Sequence, residues 1–120
     1  MGMNKNDLKE RTKLYALRII KLVHALPKRI DGRAIGNQLI RSGTSVAANY
    51  RAVCRARSRA EFIARLGVVI EEADESAFWL ELIIESKILN KNLVEPLLKE
   101  TNELVAIMVS SSNSASKNIK

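Results

Sequence analysis

Residues 30–57, IDGRAIGNQLIRSGTSVAANYRAVCRAR, decide how the chain is read. Plotted at about 100° per residue with Arg33 at zero, Arg51, Arg55 and Arg41 fall near 0°, 40° and 80°, while Leu39, Val46 and Val53 gather near 200–240°. An apolar stripe opposite an arginine stripe describes one amphipathic helix lying on a core. Ile30-Asp31-Gly32 opens it, with Asp31 as N-cap and Ile30 placed to staple onto Ile35, and the pattern should reach about Arg57. Gly36 and Gly43, like Gly67 further on, each cost roughly 1 kcal/mol of helix propensity relative to alanine. Close approach of a neighbouring helix would offset that cost, and Ala47, Ala48 and Ala52 extend the small surface.

The same signals recur on either side. A first helix is expected from about Asp7 to Ala25, with Asp7 and Glu10 at capping-box spacing, Leu8, Tyr15, Ile19, Leu22 and Leu26 on one face, and Pro27 as its stop. Ser58 and Glu61 form an S-x-x-E box that starts a third helix, Arg59 to about Leu89, after a very short turn. That helix is apolar around much of its circumference, so it should be buried on several sides. Asn90-Lys91-Asn92 breaks the pattern, and Asn92 with Glu95 should cap a fourth helix to about Val109, with Pro96 in its first turn. No strand-like alternation and no internal repeat is found. The expectation is all-α: an antiparallel up-down four-helix bundle over residues 1–109, followed by a disordered Ser/Asn/Lys-rich tail over 110–120.

At 120 residues, 47% of them hydrophobic, the chain is one domain large enough to hold a core without a disulfide or metal. One cysteine, Cys54, and one histidine, His24, exclude an internal disulfide and a structural zinc site. No run approaches the ~18 apolar residues of a membrane span, and the first residues lack a signal peptide's apolar region, so a soluble cytoplasmic protein is expected.

Few patterns suggest chemistry. Glu71, Glu72 and Glu75 lie close together on the third helix, but a di-iron bundle needs two E-x-x-H pairs and this chain has none. Glu72 and Glu75 share a face with Val68, Trp79 and Leu82, so at least one should be partly buried and need a donor or a cation. Arg41, Ser42, Ser45 and Asn49 are the expected partners in a structural polar network. Gly43-Thr44-Ser45-Val46-Ala47 has the outline of a nucleophile elbow but follows no strand, and no phosphate-binding glycine loop occurs. No enzyme, cofactor or metal is expected.

The charge is the positive signal. The formal net charge is +7, and residues 1–60 hold 14 Lys/Arg against 3 Asp/Glu, whereas residues 61–120 hold 6 against 10. Arg33, Arg41, Arg51 and Arg55, extended by Lys28, Arg29, Arg57 and Arg59, form a stripe long enough to follow several phosphates, and arginine suits bidentate phosphate contacts. Nucleic acid, a solvated or protein-facing surface, and an anionic membrane all fit such a stripe, nucleic acid best. Arg41 is ambiguous, because it could instead neutralise Glu72 or Glu75.

Gln38-Leu39-Ile40-Arg41-Ser42-Gly43-Thr44-Ser45-Val46-Ala47-Ala48-Asn49, then Ala56-Arg57-Ser58, Glu61-Phe62-Ile63, Leu66, Glu72-Ala73, Glu75 and Trp79-Leu80, resemble the 23S ribosomal RNA intervening-sequence proteins. The resemblance covers nearly the whole chain, and Pro27 matches a proline common before the family's second helix. It implies an antiparallel four-helix bundle assembling as a ring-shaped homopentamer. It also implies kinship with accessory proteins of diversity-generating retroelements, which work with a reverse transcriptase and are thought to bind nucleic acid. Many relatives continue the asparagine motif as Asn-Ile-Ala-Glu-Gly; here Asn49-Tyr50-Arg51-Ala52-Val53 exchanges an acid-containing turn for a basic one. Taken together, the chain reads as a homo-oligomeric, RNA- or DNA-binding helical bundle, with a scaffold that docks an acidic protein such as a reverse transcriptase as the alternative.

Overall fold

The chain folds, in a computed structural model describing residues 4–117, into four helices: α1 (Lys5–Ala25), α2 (Ile30–Cys54), α3 (Arg59–Glu85) and α4 (Lys91–Lys117). No strand occurs among the described residues, so the all-α reading stands. Each helix packs on the next in sequence and α4 closes against α1, which places α1 diagonally across from α3. The principal extents are 51 × 23 × 21 Å. Fully buried side chains come from every helix: Tyr15 and Ile19, Leu39, Val46 and Val53, Leu66, Val69, Leu80 and Ile83, then Val94, Leu104 and Met108. Each such side chain contributes roughly 1.5–3 kcal/mol when removed from water.

Helix ends show where local signals yield to packing. α1 begins a turn earlier than expected: Asn4 is the N-cap, its side chain accepting from the Asp7 amide at 2.9 Å while the Asp7 carboxylate accepts from the Asn4 amide. Asp7 is thus the far member of the capping box. α2 has no side-chain cap, because its N-cap position falls on Arg29, whose side chain only donates, and the chain leaving Pro27 lays its carbonyl over Gly32, where a Cβ would lie 2.0 Å from the Pro27 oxygen. That path turns Ile30 outward, 88% exposed, so the staple onto Ile35 does not form, and Asp31 sits inside the first turn rather than at the cap. α2 stops at Cys54 instead of Arg57, its last turn tightened by the Arg55 and Ala56 amides donating to the Ala52 and Val53 carbonyls.

Ser58 caps α3 as expected, accepting from the Glu61 amide at 3.0 Å, although the Glu61 side chain turns to Arg65 instead of reciprocating. α3 ends at Glu85, before the expected Leu89, because Lys87 takes a left-handed backbone with φ 61°. Asn90, not Asn92, is the capping side chain of α4 and accepts from the Asn92 amide at 2.9 Å; Pro96 consequently falls in the second turn. α4 then runs eight residues past Val109. Ser111, Ser112 and Ala115 are half-buried on it, so the segment expected to be a disordered tail is helical through Lys117, and residues 118–120 lie outside the described part.

Two features fix the helices against one another. A Cβ on Gly43 would lie 2.7 Å from Ile19 Cγ1, and one on Gly36 3.2 Å from Val23 Cγ1, so both glycines serve the close approach expected of them. Gly67 differs, since nothing lies within 4 Å of its Cβ position. Fully buried hydroxyls come from every helix: Tyr15, Ser42, Ser76 and Thr101, with Thr12 of α1 bonded back to the Leu8 carbonyl. The Tyr15 hydroxyl and Thr101 Oγ1 are 2.6 Å apart, and the Ser42 and Ser76 oxygens 2.8 Å apart. No buried side-chain nitrogen or oxygen among the described residues lacks a partner.

Gly43→Ala should destabilise the fold by roughly 1–3 kcal/mol in urea unfolding, because Ile19 is branched where the new methyl would enter, whereas Gly67→Ala should stabilise by roughly 0.5–1 kcal/mol. Burial pushes the Tyr15 hydroxyl up to about 12. A tyrosine that ionises more readily when unfolded leaves stability untouched below about pH 10 and removes it as pH rises toward 12. Unfolding curves across that window should show the loss, with a shallower slope in Tyr15→Phe.

Candidate nucleic-acid interface

The glycine contacts with α1 set the rotation of α2. With Leu39, Val46, Tyr50 and Val53 turned into the core, Arg33, Arg41, Arg51 and Arg55 all emerge exposed, as the stripe requires. They do not emerge equivalent. Arg41 reaches across to α3, with Nη1 3.2 Å from Glu72 Oε1 and Nη2 hydrogen-bonded to Glu75 Oε2. One cation shared by two carboxylates leaves no surplus positive charge for a phosphate. Arg29 is likewise paired, its Nε donating to Asp31 at 2.8 Å.

The residues expected in one polar network fall into three groups. Trp79 Nε1 donates to Glu75 at 3.1 Å, and the Glu75 carboxyl is held below its ordinary range first by the Arg41 hydrogen bond and then by that from Trp79. Ser42 belongs to the buried hydroxyl layer and meets Ser76, not a carboxylate. Ser45 and Asn49 stay within α2, where Asn49 Nδ2 donates to the Ser45 carbonyl at 2.8 Å. Ser76 was missed by sequence reasoning because it stands among apolar neighbours in α3. Its sign was available: a serine on the core face must find a hydroxyl or carbonyl partner.

What remains of the basic surface concentrates at one end of the bundle. The last turn of α2 supplies Arg51 and Arg55, the connection supplies Arg57, and α3 opens with Arg59, all exposed. Arg51, Arg55 and Arg65 line a groove of about 480 Å³ with Ala48 and Ala52; Arg65 is also hydrogen-bonded to Glu61. On the other side of Arg51 a second groove of about 370 Å³ runs between α1 and α2, lined by Lys9, Glu10, Lys13, Ala47 and Ala48. Small alanines floor both grooves and basic side chains rim them. Lys9, Lys13 and Arg65 did not figure in the sequence reading of the stripe, although Lys5, Lys9 and Lys13 at i, i+4 spacing announce a basic edge on α1. Lys28 and Arg33 lie apart, around a groove with His24, Pro27 and Asn37. From Arg33 to Arg51 is about 27 Å along the helix.

Glu71, one turn before Glu75, is exposed and makes no ion pair with Arg41, which reaches Glu72 and Glu75. Among the described residues no group of three or more His, Cys, Asp or Glu side chains is placed to hold a metal, and no helix is long and apolar enough to cross a membrane.

Comparison with known proteins bears on this architecture. Residues 4–110 match the model of the 23S rRNA-intervening sequence protein family. The chain belongs to that family. A crystal structure of a protein of unknown function from the S23 ribosomal protein family of Bacteroides thetaiotaomicron shares 32% identity and superposes with a TM-score of 0.85, covering 92% of this chain and 99% of that one. Among curated proteins no significant match was found.

In this family member Trp79 is the only tryptophan and reports directly on the Arg41 clamp. Its fluorescence should titrate at acid pH with a midpoint below the usual carboxylate range. In Arg41→Ala that midpoint should rise, and the melting temperature should fall. The Glu75 contribution to stability is present above the unfolded carboxyl's pKa and is lost as pH falls through the folded one.

Proposed function

We propose that this protein is a non-enzymatic, antiparallel up-down bundle that assembles with copies of itself, as a ring, in the cytoplasm, and binds RNA or DNA phosphates through its basic end. Connections of four or five residues between helices that pack on one another support the up-down arrangement. So does the order of contacts, Gly36 with Val23 and Gly43 with Ile19. The observation behind the binding reading is the convergence of Lys9, Lys13, Arg51, Arg55 and Arg65 around two adjoining grooves, with Arg57 and Arg59 exposed in the connection and at the start of α3. Arg33 and Lys28 lie apart around their own groove and stand outside this contact, and Arg41 is structural. Tyr15 and Tyr50 are buried, Phe62 and Trp79 are half-buried, and the exposed Phe78 stands among the acids of α3, so contact is with backbone and shape rather than stacked bases.

Fluorescence anisotropy with a structured RNA and with duplex DNA tests this across a salt series. Affinity should fall linearly on a log–log plot, with a slope near 0.7–0.9 per phosphate engaged. The Arg51→Glu/Arg55→Glu protein should bind at least about tenfold more weakly with unchanged helicity and mass, since two phosphate contacts become repulsions; Arg41→Ala should lose stability but little affinity. No binding even at low salt would reject the reading in favour of docking to an acidic protein such as a polymerase subunit.

A further inference from the structure

Two outward faces of the bundle carry apolar side chains that nothing among the described residues covers, and their charges are opposite. On α1, Leu14 and Leu17 each keep more than half their surface in water, as does Leu93 at the start of α4. Arg18 and Lys21 flank them, lining a shallow groove of about 340 Å³ with Leu22, Ala25, Leu93 and Leu97. From Arg11 to Ala25, α1 contains no acid. On α3, Phe78 is half exposed against the edge of Trp79, Val68 is exposed nearly three turns away, and Glu71, Asp74, Glu81 and Glu85 surround them. From Leu66 to Glu85, α3 contains no base. None of those four acids has an ion-pair partner among the described residues, and neither Arg18 nor Lys21 does.

Because α1 and α3 stand at diagonal corners, these faces look to opposite sides of the molecule. Like faces would repel, acid against acid. Unlike faces match twice over, apolar against apolar and base against acid, which suppresses the wrong pairing and sets the register of the right one. The exposed face of α2 is a poorer match for α3, since between Arg33 and Arg55 it shows no exposed large apolar side chain. Gly67, costly in a helix and unoccupied by anything in its own chain, lies beside Val68 on the outer side of α3 and leaves room for another helix to approach.

We infer that a second copy of this chain seats the Leu14–Leu17–Arg18–Lys21 face of its α1 on the Val68–Glu71–Phe78–Glu81 face of α3. The contact is heterologous, so each copy donates one face and offers the other, and repetition closes into a ring or continues as a fibre. It leaves the basic end free. The inference rests on the self-assembly proposed above and names the surfaces that perform it.

Charge exchange tests it, with mass read by sedimentation and folding by circular dichroism. Arg18→Glu/Lys21→Glu alone, and Glu71→Lys/Glu81→Lys alone, should each convert the assembly to the 13.4 kDa monomer with helicity retained. The protein carrying all four substitutions should assemble again, since its faces are complementary once more. If both two-residue variants keep the wild-type mass, this interface is wrong while self-assembly stands. If the four-residue protein is folded but monomeric, the pairing of these faces is wrong. A wild type that is monomeric at every concentration overturns the inference and the self-assembly beneath it.

Discussion

α2 lies close against α1 because Gly36 and Gly43 present no side chain where those of Val23 and Ile19 arrive, and Gly32 none where the Pro27 carbonyl does. Much else follows from that contact. It fixes the rotation of α2 about its axis, which commits Leu39, Val46, Tyr50 and Val53 to the core and sends four arginines to water. It also brings Lys9 and Lys13 of α1 beside Arg51, so that a groove floored by alanines acquires a basic rim from two helices. A bulkier residue at position 43 would force the helices apart or rotate one of them, and either change would dismantle the basic surface along with the packing.

Charge is partitioned by the same geometry. The end of the bundle where α2 hands over to α3 gathers bases, while the later turns of α3 hold six acids without a single base. Arg41 stands at the boundary and is claimed by the acidic side through Glu72 and Glu75. On the proposed reading, a phosphate approaching the bundle would meet an attractive field at one end and carboxylates partway along it, an arrangement that would orient a polyanion as well as attract it. The hydroxyls of Tyr15, Ser42, Ser76 and Thr101, one from each helix, hold the core in register beneath this surface.

Most of the fold was legible because its signals are short-range and redundant. Four helices, the Pro27 break, the Ser58 cap and the buried apolar stripes all come from periodicity and capping chemistry within a few residues. Errors arose where a tertiary contact outweighed a local preference. Asp31 and Ile30 have the right chemistry for a cap and a staple, yet the Pro27 carbonyl over Gly32 sends the chain past them. The serines after Val109 read as disordered because composition was weighed without the half-burial of Ser111, Ser112 and Ala115. The candidate site was read as a stripe because one helix wheel shows only one helix. Neither the capture of Arg41 by α3 nor the arrival of Lys9, Lys13 and Arg65 from neighbouring helices can be seen on it. The family resemblance, by contrast, was legible from the motif around Arg41–Asn49 and is matched over residues 4–110.

The most direct test of the basic end as the binding surface is arginine modification by phenylglyoxal, mapped by mass spectrometry with and without a saturating structured RNA. The account predicts that RNA shields Arg51, Arg55, Arg57 and Arg59 while Arg33 stays reactive. Equal shielding of Arg33 and Arg51 would restore a continuous stripe along α2, and no shielding at Arg51–Arg59 would contradict the assignment of this end.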